Sequence, residues 1–97
     1  MAVGSVIKKI RKNKGFSQGE FAEACGVTQA YLSQIESGKR RPGQELVNKA
    51  GEILKIPPQV ITFLSLDAED IEEGKREAFD QIAPSINAMI ERFFLGN

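Results

Sequence analysis

The run FSQGEFAEACGVTQAYLSQIESGKRR, Phe16 to Arg41, decides how this chain folds. Ser17 precedes a helix-forming segment and Glu20 follows it three residues on. A Ser hydroxyl can accept from the third helical amide while the Glu carboxylate accepts from the cap's own amide, so the pair predicts a capping box. Phe16 before the cap and Phe21 at the fourth helical position predict a hydrophobic staple. The same grammar repeats at Thr28, with Val27 before it and Leu32 four residues after it. Between the two segments stands Gly26, which can turn left-handed without a Cβ clash. Gly38 is a natural stop for the second helix, and Lys39, Arg40 and Arg41 follow it.

Two capped helices joined by a short Gly-containing turn describe a helix-turn-helix. The spacing predicts the first over 18–25, burying Phe21, Ala22 and Cys25, and the second over 29–37, burying Leu32 and Ile35. Upstream, Val3, Val6, Ile7 and Ile10 recur at helical spacing and predict a helix over 3–14, ended by Gly15. Its other face carries Lys8, Lys9, Lys12 and Lys14, read as a solvated face. Downstream, Leu46, Val47, Ala50, Ile53 and Leu54 predict a helix over 44–54. Pro57 and Pro58 break the chain and open a short helix in which Val60, Ile61, Phe63 and Leu64 close the core. No segment shows the period-2 alternation of a strand.

The run SQGEFAEACGVTQAYLSQIESGKRRP resembles the phage-repressor and Cro-like (Xre-type) helix-turn-helix family of DNA-binding transcriptional regulators. The matching residues are Ser17-Gln18, Ala22, Gly26-Val27-Thr28, Leu32-Ser33, Ile35-Glu36, Gly38 and Arg41-Pro42, and the resemblance spans about residues 3–65. Gly19 departs from it, where a side chain is usual; Gly inside a helix costs about 1 kcal/mol against Ala. The resemblance implies an all-α, five-helix repressor-like domain that binds double-stranded DNA as a homodimer, reading the major groove from the helix over 29–37. Gln29 then holds the leading base-reading place, where an amide can pair bidentately with adenine. Ala30, Ser33 and Gln34 hold the other outward places. Tyr31 either touches sugar-phosphate or a thymine methyl, or packs against the preceding helix. Gln18 and Thr28 are expected at phosphates, as are Lys39, Arg40 and Arg41. Arg11 and Glu36 fall where a structural pair often forms in this family.

Charge supports two separate tasks. Residues 1–58 carry ten Lys and Arg against five Glu, while residues 59–97 carry three Lys and Arg against eight Asp and Glu. A basic half suits a polyanion and an acidic half suits something else. The expected division is a helix-turn-helix domain over 1–66, followed over 67–97 by an acidic linker and an amphipathic helix or kinked helix pair. In that second part Phe79, Ile82, Ile86, Met89 and Phe93 are spaced as a heptad seam, which Ile90 and Phe94 widen. These seven residues are the expected dimer interface. Pro84 interrupts the pattern and predicts either a kink near Ala83 or two helices, about 75–83 and 85–95.

The residue inventory argues against catalysis. There is no His, and the one Cys has no base to activate it and cannot build a zinc site of the usual kind, so Cys25 reads as a small core residue. No Gly-rich phosphate loop or nucleophile–base pair is visible. No cofactor, metal or small-molecule ligand is therefore expected. With no apolar run near about 20 residues and no signal-peptide pattern, the expected setting is the cytoplasm, away from membrane. The alternative function is an antitoxin-like protein whose C-terminal helix binds and neutralises a partner protein.

Overall fold

The computed structural model describes residues 1–96. Its helices are α1 (Val3–Asn13), α2 (Gln18–Cys25), α3 (Gln29–Glu36), α4 (Gln44–Leu54), α5 (Pro58–Leu64) and α6 (Arg76–Phe94). Two 3₁₀ turns, Ala68–Asp70 and Glu73–Lys75, fill the acidic connection before α6. The protein is all-α, with no strand among the described residues.

The boundaries follow from local chemistry. Ser17 Oγ accepts from the Glu20 amide at 3.1 Å, and Glu20 Oε1 accepts from the Ser17 amide at 3.0 Å. Thr28 Oγ1 accepts from the Tyr31 amide at 3.1 Å. Gly26 takes φ 74°, and the Val27 amide then reaches back to the Ala22 carbonyl at 3.0 Å. That bond ends α2 by satisfying a carbonyl the helix itself leaves free. The same back-bond ends α1, from the Phe16 amide to the Arg11 carbonyl, and α4, from the Ile56 amide to the Gly51 carbonyl. Phe16 therefore closes one helix and staples the next: its ring lies 5.8 Å from that of Phe21.

The five N-terminal helices close around one core. Val6, Ile7 and Ile10 of α1 meet Phe21 and Ala22 of α2, Leu32 and Ile35 of α3, Leu46, Val47, Ala50 and Leu54 of α4, and Ile61 of α5. Burying a side chain of this size stabilises by about 1.5–3 kcal/mol. Ile56 is also fully buried, which the helical periodicity did not reveal because it lies in the turn after α4. Gly4 lets α1 cross the backbone of α3. A Cβ there would stand 1.9 Å from the Ile35 carbonyl oxygen.

Residues 76–94 form one helix rather than two. Pro84 lacks the N–H that would bond the Asp80 carbonyl. Both residues are exposed, so water can meet the freed carbonyl. Of this helix only Ala83 is buried. Phe94 and Leu95 pack against the five-helix core, and Lys9 Nζ of α1 donates to Glu91 Oε1 at 2.8 Å. Ile82, Met89 and Phe93 are exposed, Phe93 by 77%.

Candidate nucleic-acid interface

The candidate interface is built on a buried ion pair. Arg11 Nε donates to Glu36 Oε2 at 2.7 Å and Nη2 donates to Glu36 Oε1 at 2.9 Å, with both residues about 5% exposed or less. The third guanidinium nitrogen, Nη1, donates to the Phe16 carbonyl at 2.8 Å. A fork–fork pair with its spare donor satisfied can be kept out of water. It ties α1 to the end of α3 and to Phe16, the residue before the α2 cap.

From this pair a polar chain runs outward. Gln18 Nε2 donates to Glu36 Oε1 at 3.1 Å, which leaves Gln18 Oε1 to accept from Gln29 Nε2 at 3.4 Å. The sequence places Gln18 and Gln29 near helix starts but gives no sign that a carboxylate eighteen residues away orients the first of them. Gly19 also fits here: the position a Cβ would occupy lies 3.3 Å from Gln29 Oε1, so a side chain would press on the amide.

Along α3, Gln29, Ala30, Ser33 and Gln34 are exposed on one side, while Leu32, Ile35 and Glu36 are buried on the other. Tyr31 is half-buried and packs against the core. Thr28 is exposed, with its hydroxyl oxygen engaged as the cap. Lys39, Arg40 and Arg41 are exposed beyond Gly38. Arg40 does not simply extend into solvent. Its amide donates to the Gln34 carbonyl at 3.2 Å, its Nε donates to Gln34 Oε1 at 3.2 Å, and its guanidinium stands 5.3 Å from the Tyr31 ring centre. Asp67 and Asp70 line the cleft that Arg40 and Arg41 also line, which weakens the local positive field.

The remaining expected site residues lie on α6. Phe79, Ile86 and Ile90 are half-buried, and Ile82, Met89 and Phe93 are exposed. Phe94, expected at a dimer seam, instead packs on the core of its own chain. The reason is helical phase: Ala83, Ile90 and Phe94 share one side of α6, while Ile82, Met89 and Phe93 share the next. Cys25 is buried among core residues, and burial pushes its thiol up. A thiol so held disfavours the thiolate. Among the described residues no cluster of His, Cys, Asp and Glu could hold a metal ion, and no helix is long and apolar enough to cross a membrane.

Five short helices, the second and third joined by a Gly turn and the third presenting polar side chains, define the class of helix-turn-helix DNA-binding proteins. The helix-turn-helix family model matches residues 7–61, and the chain belongs to that family. It is 31% identical over 72 residues to the ImmF control region 10 kDa protein of Bacillus phage phi105, covering 74% of this chain and 78% of that one. It is 38% identical over 77 residues to the HTH-type transcriptional regulator SinR of Bacillus subtilis, covering 78% and 68%. Among solved structures, the clp gene regulator ClgR from Corynebacterium glutamicum superposes with TM-score 0.62 over 94% of this chain and 87% of that one. At 23% identity that likeness speaks for the fold. A SinR protein/SinI protein complex gives TM-score 0.60 at 30% identity, over 84% and 77%. The family is one of DNA-binding transcription regulators and is not enzymatic.

Proposed function

We propose that the chain is a homodimeric, sequence-specific repressor that reads the DNA major groove with α3. The observation that carries this is the polar face of α3, with Gln29 held at its N-terminal end by Gln18 and, through it, by the buried Arg11–Glu36 pair. An amide fixed in this way has lost rotamer freedom before DNA arrives, so less entropy opposes base contact. Gln29 keeps Oε1 to accept from adenine N6 and a second Nε2 hydrogen to donate to N7. Gln18, Lys39 and Arg41 would contact phosphates on either side.

The dimer half of the reading rests on α6. Ile82, Met89 and Phe93 form an apolar stripe that the same chain leaves uncovered. A second copy supplies the same stripe by two-fold symmetry, and two reading heads then meet half-sites about one DNA turn apart. Repression follows from occupancy, because a bound dimer covers DNA that other proteins need. A second reading has a foreign protein take the stripe. It is favoured by the likeness to SinR, solved in a complex with SinI protein.

The test is selection of bound sites from random duplex DNA with the full chain. Selection should yield a two-fold symmetric operator. On that operator Gln29→Ala should cost about 1–3 kcal/mol and relax the preference at one base pair of each half-site. Unchanged affinity would remove Gln29 from the reading face.

A further inference from the structure

Gln29 and Gln34 are chemically the same side chain on one helix face, yet their surroundings polarise them in opposite senses. Beside Gln29 stands an amide oxygen, that of Gln18, which takes a hydrogen from Nε2. Beside Gln34 stands a guanidinium, which carries only donors. Gln34 can therefore meet Arg40 only through Oε1, as the 3.2 Å contact has it. Arg40 is held there by its own backbone bond to the Gln34 carbonyl and by the Tyr31 ring below its guanidinium. A cation over an aromatic face is attracted to the ring quadrupole, which favours this placement over a free one.

From this we infer that Arg40 is a positioning residue that holds the Gln34 oxygen back and turns its amide nitrogen to the groove, directing Gln34 at guanine N7 and O6 and so at a G·C rather than an A·T pair. The inference rests on the reading of α3 as the base-reading helix and goes beyond it. With Oε1 occupied, Gln34 turns its two Nε2 hydrogens outward. Guanine presents two acceptors, N7 and O6, side by side in the major groove, whereas adenine sets an amino donor beside its N7. With the Gln34 oxygen turned back toward Arg40, an amino donor would meet the Nε2 hydrogens or the guanidinium, which offer it no acceptor. The role differs from that of a phosphate contact, which strengthens binding to every sequence alike.

The experiment compares four full-length chains by site selection from random duplex DNA: wild type, Arg40→Ala, Gln34→Ala and the double variant. Each is checked by thermal melting, which should not shift, since both residues are exposed. Wild type should select a G·C pair over an A·T pair at one position of each half-site. Arg40→Ala should lose discrimination there by about 5-fold or more, at the same base pair that Gln34→Ala affects. In the Gln34→Ala background, Arg40→Ala should change no base preference further. Uniformly weaker binding by Arg40→Ala with every preference intact would overturn the proposal. So would selection of an A·T pair at the Gln34-dependent position, or a preference change that persists without Gln34. A wild-type chain that enriches no sequence would overturn base reading itself, and this proposal with it.

Discussion

The five-helix domain and α6 use apolar residues to different ends. In the first, the core residues of every helix are spent on neighbours in the same chain, down to full burial of Phe21, Leu32, Ile35 and Ile61. In the second, one side is spent at Phe94, while Ile82, Met89 and Phe93 meet solvent. The first region stabilises itself. The second is anchored at its far end, while Ile82, Met89 and Phe93 stay uncovered by their own chain. On the proposed reading, stability and association fall to different residues, and variants should separate them.

The largest effect should come from the buried pair. Glu36→Ala leaves the Arg11 charge buried without its carboxylate and should destabilise by about 3–5 kcal/mol in urea denaturation. A loss below about 1 kcal/mol would mean that water reaches Arg11 and that the domain is less closed than described.

The two regions can be parted at Leu66. A chain ending there should remain folded, because the main core lies within α1 to α5 and Ile56. It should sediment as a monomer and bind the operator about 100-fold more weakly, as expected when two linked contacts become one. A shortened chain that still dimerises would move the interface off α6. A full-length chain that stays monomeric at high micromolar concentration would leave the stripe without a second copy.

A smaller effect is expected at the α2 cap. Ser17→Ala should cost typically about 1 kcal/mol in the same denaturation assay. The backbone and side chain of Ser17 both hydrogen-bond Glu20 and hold its carboxyl below the ordinary carboxylate value. A group whose folded pKa is depressed stabilises above its unfolded pKa, and that contribution is lost as pH falls through the folded value. Wild type should therefore lose stability below about pH 4 somewhat faster than Glu20→Gln. Parallel acid profiles would show that the capping box is not held in solution.

The smallest effect should fall on the surface pair that joins the two regions. Lys9→Ala removes a partly exposed contact to Glu91 and should cost under about 1 kcal/mol, diminishing further in high salt. A larger loss would mean that the docking of α6 supports the domain more than the packing of Phe94 and Leu95 implies.

Much of the fold was legible along the chain because its punctuation is local. A capping box joins residues three apart, a staple joins Phe16 to Phe21, and a left-handed Gly ends a helix through a bond spanning five residues. Such interactions need no knowledge of the rest of the chain, so α2 and α3 stand where Ser17, Gly26 and Thr28 put them. The outward face of α3 follows as well, since periodicity names the buried residues and leaves Gln29, Ala30, Ser33 and Gln34. Tertiary structure alone decided what those side chains are bonded to. Gln18 is oriented by Glu36 and Arg40 is folded back onto Gln34, although a basic loop in isolation reads as three phosphate contacts. It also divided the stripe of α6: the spacing of Phe79 to Phe94 marks an apolar side, but which part of it faces the domain depends on where the acidic turns deliver the helix. The physical reason is the same in each case. Backbone caps are set by dihedral angles and short loops, whereas side-chain partners distant in sequence are set by how rigid helices pack.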